Sequence, residues 1–170
     1  MFFYRVGQFF KAITAKVTED DIIFINNYLS DKEKELFFKL KVYDQKHCID
    51  VAKDIKIYFQ KNNIKNEDLS IVKNDLIKAG LLHDIGKIKK NLNPIQKSIL
   101  VILDKFSKGK LKNLDNIKAI DIYYNHDKEG YKLLKENNYS KEFLNLVRNH
   151  HNYDVDNVEI NILRASDDKN

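Results

Sequence analysis

An all-α fold is expected from three features of this chain. One proline and five glycines punctuate 170 residues, too few for the many tight turns of an all-β protein. Lysine, glutamate, leucine and isoleucine are abundant, a composition that favours helices. Apolar residues recur three and four positions apart between capping residues, the period of helices with one buried face. A chain of this length fits one domain of about 100–200 residues. At roughly 150 residues such a domain buries about 70% of its unfolded surface. No repeat, low-complexity tract or break in composition divides it, so a single domain over residues 1–170 is expected.

The elements follow in order. The start, "MFFYRVGQFFKAI", predicts a helix over residues 3–16 that packs its aromatics onto the domain, with contact to a membrane surface as the rarer alternative. Thr18 opens "TEDD" and Ser30 opens "SDKE", with Glu33 three residues on. The second is a capping box, and helices are expected over 19–29 and 31–40. A long helix runs from about Tyr43 to Lys61, and another from Glu67 or Ser70 to His83. Pro94 suits the first turn of a helix ending near Phe106, before the loop "SKGKLKN". Three more cover about 116–136 (with a break near His126), 140–151 and 157–168, for a bundle of about seven to nine helices.

Charge and hydropathy narrow the function. The net charge is +5, and from Lys87 to Lys112 eight lysines (87, 89, 90, 97, 105, 108, 110 and 112) face one acid, Asp104. This is either a solvated helical face or a positive rim for a phosphate-bearing substrate. Arginine is scarce and no groove-reading motif is present, so duplex nucleic acid is not expected as a partner. Apolar runs such as "SILVILDKF" are far shorter than the ~20 residues of a spanning helix, so no membrane span is expected. The one cysteine, Cys48, cannot form an internal disulfide, and no secretory leader is evident. A reducing cytoplasm is expected, with Cys48 as a small core filler.

The histidines carry the chemistry. His47 shares a helical stripe with Val51 and Ile55; His83 follows Leu76 and Ala79. His126 lies four residues after Ile122 and four before Gly130, and His150 follows Phe143, Leu146 and Val147. Asp167 repeats the pattern behind Ile160 and Leu163. One histidine on an apolar face is more often a satisfied core residue than a ligand. Several of them, converging with carboxylates, would repel or go unsatisfied without a cation. The absence of a cysteine cluster argues against a structural thiolate site. A mixed His/Asp set suits Fe, Mn, Mg, Zn or Ni in a site with open positions. Asp44 and Asp168 are expected to be solvated, and Gly86 to end a helix or to allow close approach.

The ordered set His47, His83–Asp84, His126, His150–His151 and Asp167 in "LRASDD" resembles the HD-domain superfamily of metal-dependent phosphohydrolases. Its "HDIGK" at His83 to Lys87 is similar to the signature of the HDIG subgroup, and "HDKEGYKLLKE" after His126 resembles that family's "H…G…L" helix. The resemblance runs from about Val42 to Asp168. It implies an all-α HD-domain bundle with a metal-binding core over 42–168, against which the helices of 1–40 pack, and two divalent metal ions. His47, His83, Asp84 and Asp167 would hold one ion, and Asp84 would bridge to a second held by His126 and His150. His151 matches the second histidine of the "HH" in HD-GYP cyclic-dinucleotide phosphodiesterases, where it serves a metal or the substrate phosphate. Lys87 matches a lysine that contacts phosphate oxygens.

Two departures bear on this. "HHNYDVDNVEI" lacks the GYP stretch, and Tyr43 stands where trinuclear members carry glutamate, favouring two metals over three. The related diadenosine-polyphosphate hydrolases carry "HT" in place of "HH". The resemblance implies hydrolysis of a small phosphorylated substrate, nucleotide-like, by a metal-activated water, with Asp84, Lys87 and His151 as catalytic groups. A non-catalytic metal-containing signalling or ligand-binding module and a di-iron oxygenase-like enzyme are the alternatives.

Overall fold

Local hydrogen bonds set most helix boundaries close to where the sequence puts them. The computed structural model describes Gly7, Phe10 and residues 13–170; the helix expected over 3–16 lies mostly outside these. Eight α-helices and no strand occur among the described residues: α1 Glu19–Tyr28, α2 Asp31–Phe37, α3 Val42–Asn62, α4 Lys73–Leu82, α5 Pro94–Ser107, α6 Lys118–Leu134, α7 Lys141–Asn149 and α8 Val158–Lys169. The all-α expectation holds.

Thr18 and Ser30 both close capping boxes, with Asp21 and Glu33 reaching back to their backbone N–H groups at 3.1 and 2.6 Å. Asn93 does the same with Gln96 ahead of Pro94. Asn63 and Lys108 adopt the left-handed conformation that ends α3 and α5, and Gly109 follows at φ 79°.

Two boundaries differ from expectation. Residues 38–40 leave α2 because Lys39 and Leu40 donate to carbonyls three residues back, tightening the turn. Helix α4 begins at Lys73 rather than at 67 or 70. Asn66–Asp68 form a separate 3₁₀ turn, and the Ser70 N–H is taken by the Glu159 carboxylate from α8. The break expected near His126 is a kink at Asn125, whose φ of −123° and ψ of 15° depart from helix.

Helix α3 is the spine. Its stripe of Cys48, Val51, Ala52, Ile55 and Phe59 is buried against α4 and α8. Gly80 of α4 allows that approach, since an added Cβ would sit 2.8 Å from Ile55 Cδ1 and 3.0 Å from Ala52 Cα. Ile49, Leu76, Leu81, Phe143 and Leu163 complete this core, each contributing roughly 1.5–3 kcal/mol by leaving water. The Tyr139 hydroxyl donates to Glu33 at 2.6 Å, fastening the α6–α7 connection to α2. A second, smaller cluster joins Leu92, Leu100, Leu111 and Ile120 beneath α5.

Candidate metal centre

The HD pair stands where α4 stops. His83 ends that helix, Asp84 leaves helical geometry at φ −94° and ψ 8°, and Ile85–Lys89 turns as a 3₁₀ helix. Gly86 is there for close approach. A Cβ on it would meet the His126 carbonyl oxygen at 1.9 Å and the Gly130 nitrogen at 2.5 Å. The 3₁₀ turn therefore lies directly on the kink of α6, which carries His126 toward Asp84. Of the two roles expected for Gly86, close approach is the one it fills; α4 ends at Leu82, and Gly86 lies inside the 3₁₀ turn that follows.

Four helix segments and the turn after α4 bring the predicted residues together. Asp84 is 1% exposed and central. Its Oδ1 lies 3.1 Å from His126 Nε2 and 3.9 Å from His150 Nε2. Its Oδ2 lies 3.5 Å from His83 Nε2 and 3.6 Å from His47 Nε2. Asp167 Oδ1 is 2.9 Å from His47 Nε2 and 3.7 Å from His83 Nε2. His151, on the rim, lies 3.1 Å from His126, Nε2 to Nε2. Two donor groups result: Asp84, His126, His150 and His151 in one, His47, His83 and Asp167 in the other, each within 4.8 Å.

Three imidazoles are fixed from behind. Nδ1–H of His83 donates to the Gly80 carbonyl at 2.9 Å, that of His126 to Ile122 at 3.1 Å and that of His150 to Val147 at 2.8 Å. Each bond leaves Nε2 as the free lone pair, aimed inward. His83 Nε2, His150 Nε2 and Asp84 Oδ1 are buried with no hydrogen-bond partner. Buried orphans are costly unless a further group satisfies them.

The electrostatics agree. Burial would raise the carboxyl pKa of Asp84, yet Lys87, His83 and His126 hold it well below the usual range. Burial opposes ionisation of Asp167 too, but His47 and His83 keep it low. Burial, then the neighbouring imidazoles, push His150 well down; burial and His126 push His151 down to about 4. Burial works against charge on His83, and the two carboxylates outweigh it and raise its pKa. Neutral His150 and His151, ionised carboxylates, and a preference for positive charge beside His83 suit a divalent cation.

Lys87 points inward, its Nζ on Asp84 Oδ2 and 3.9 Å from Asp44 Oδ1. The expectation that Asp44 is solvated is wrong: it is 3% exposed and lies 3.9 Å from both Lys87 and Lys97 Nζ. It sits four residues before Cys48 on the buried stripe of α3, a helical period that was there to be read. Asp168 is exposed, as expected. His47 is only half-buried, at the mouth rather than in the core. Cys48 Sγ falls within the same 4.8 Å limit of His83 and Asp84. Burial and then Asp84 drive its thiol pKa well up, which suits a protonated core filler.

Arg164 was missed. Buried in α8, it donates from Nε to the His150 carbonyl at 2.9 Å, from Nη1 to Val155 at 2.7 Å, and from Nη2 to Asn149 at 2.9 Å and to Asn152. One guanidinium thus holds the chain that carries His150 and His151. Its signal was an arginine on the apolar face of Ile160, Leu163 and Asp167.

A family model described as "HD domain" matches residues 45–168. The chain belongs to the HD-domain family. Searches among curated proteins and among solved structures returned no match. The HD-domain superfamily is one of metal-dependent hydrolases that bind divalent cations, and the donor groups of this HD domain fit such ions. No helix among the described residues is long and apolar enough to cross a membrane.

Proposed function

We propose that this HD domain hydrolyses a phosphoester of a small nucleotide-like molecule at a dinuclear centre. His47, His83, Asp84 and Asp167 would hold one divalent cation, drawn from Fe, Mn, Mg, Zn or Ni. His126 and His150 would hold a second, shared with Asp84, with His151 at its edge. We read residues 42–168 as the metal-binding core, with the helices of residues 19–40 packed on it as part of one domain. The carrying observation is the set of buried, unpartnered atoms, His83 Nε2, His150 Nε2 and Asp84 Oδ1, on side chains fixed from behind.

Two cations bound there would lower the pKa of a water and neutralise phosphoryl charge. The chain's own groups do the rest. Lys87, only 14% exposed at its side chain, brings an ammonium beside Asp84 to meet the substrate's phosphoryl oxygens as negative charge builds. Lys97 Nζ lies 3.9 Å from the same Asp44 oxygen as Lys87 and extends the positive surface toward solvent. His151, neutral and at the rim, can hydrogen-bond the same oxygens. Arg164 keeps its backbone in place.

Elemental analysis of the purified chain should find about two divalent cations per molecule, and Asp84→Ala should lose metal and activity together, by about a hundredfold or more. The substrate screen would cover nucleoside mono- and polyphosphates and cyclic dinucleotides, read as phosphate or monoester release. Metal content without any hydrolysis would turn the reading to a non-catalytic module. Oxygen uptake without phosphate release would turn it to the oxidative alternative.

A further inference from the structure

Helix α5 is apolar on two opposite faces. Leu100 packs inward in the small cluster. On the other side Ile95, Ile99, Ile102 and Leu103 are 46–61% exposed, and Phe106 is 82% exposed. Their spacing of four, three, one and three residues is that of a core-facing stripe, here turned to solvent. Scattered apolar residues on a surface need no explanation, but five in one stripe mark a contact surface.

Charge decides the occupant. Around this stripe, α5 and the turn after it carry Lys105, Lys108, Lys110 and Lys112. The one acid of the stretch, Asp104, accepts the Tyr124 hydroxyl. A two-fold pairing with a second copy would set these lysines against their equivalents, and like charges across an interface are costly. A ridge of isoleucine, leucine and phenylalanine bordered by lysines instead matches an anionic bilayer: the apolar side chains enter the acyl boundary and the ammonium groups meet the headgroups. At about 21 Å, α5 is too short to span and would lie in the plane of the surface.

We propose that the outer face of α5, from Ile95 to Phe106, docks on an anionic lipid surface. This stands apart from the chemistry of the metal centre, because Lys97, which points toward Asp44, is on the opposite face of the helix.

Co-sedimentation of the full chain with vesicles tests it. The protein should pellet with phosphatidylcholine vesicles containing about one-third phosphatidylglycerol, and at least about tenfold more weakly with phosphatidylcholine alone or at high salt. Ile102→Glu with Phe106→Glu should lower affinity for the anionic vesicles about tenfold or more. Lys105→Gln with Lys108→Gln leaves the apolar ridge intact and should weaken the same binding, which keeps the test sound if the first pair misfolds. No vesicle binding, or equal binding to neutral and anionic vesicles, overturns the proposal. A dimer in analytical ultracentrifugation that the glutamates dissolve, without vesicle binding, also overturns it and makes a second copy the occupant.

Discussion

The body built by α1–α4, α7 and α8 and the arm built by α5 and the first half of α6 use the same residue types to different ends. In the body, Ile49, Ile55, Leu76 and Leu81 are completely buried. In the arm, Leu92, Leu100, Leu111 and Ile120 make a small cluster, and comparable isoleucines and leucines of α5 are half exposed. Apolar content therefore does not tell which side chains a fold covers; the number of elements packed around them does. The candidate centre lies at the seam. His47, His83, Asp84, His150 and Asp167 come from the body, His126 from the kinked helix of the arm, and Lys97 from α5. A stiff body suits donors that must keep fixed distances. A thinly packed arm suits a mouth that must admit a substrate.

The comparison breaks or stands on unequal core losses. Phe143→Ala in the body should cost about 3–5 kcal/mol, and Leu111→Ala in the arm about 2 kcal/mol or less, both by urea denaturation. Equal losses would mean that the arm is as tightly built as the body. At the seam, Gly86→Ala forces a methyl against the His126 carbonyl and should cost about 1–3 kcal/mol. Because the strain falls on the segment carrying His126, metal content should fall with stability in the same protein. Full metal content in that variant would show that the arm moves without disturbing the centre.

A smaller effect belongs to the body alone. Burial would raise the Asp21 pKa, but Lys53, the Thr18 N–H and Lys46 hold it at about 2, below the ordinary 3.8. The ionised form is thus favoured by folding, so its stabilisation is complete above pH ~4 and is lost as pH falls toward ~2. Asp21→Asn should remove about 1–2 kcal/mol at neutral pH and flatten the acid limb over that window. An unchanged limb would show that the α1–α3 contact does not depend on this charge.

The helices were readable because their causes are local. Thr18, Ser30, Asn93, Ser140 and Asn157 accept hydrogen bonds from N–H groups three residues on, and Pro94 is preset for a first turn. His47, His83, His126, His150 and Asp167 were readable too, because each repeats its helix's apolar period, and Asp84 and His151 follow from their neighbours in the "HD" and "HH" pairs. What escaped depends on partners far along the chain. Ser70 does not start α4, because Glu159, 89 residues later, binds its N–H. Asp44 stands on the readable apolar period of α3, but the two ammonium groups near it, Lys87 and Lys97, come from 43 and 53 residues on. Arg164's place on the apolar face of α8 marks it as buried, but its partners are backbone carbonyls, which leave no mark in a sequence.

The clamp by Arg164 also sets an order in time. A chain leaves the ribosome from its N-terminus, so His47, His83 and Asp84 emerge long before α8. The carbonyls of Asn149, His150, Asn152 and Val155 cannot be gathered until Arg164 is out. Asp167, one turn further on, arrives later still. Before α8 is out, His47, His83, Asp84, His126 and His150 are present without Asp167, so the donor set of the proposed centre is still open. On the proposed dinuclear reading, a cation would enter after translation, when the cell's free metal pools, rather than the growing chain, would set which ion it is.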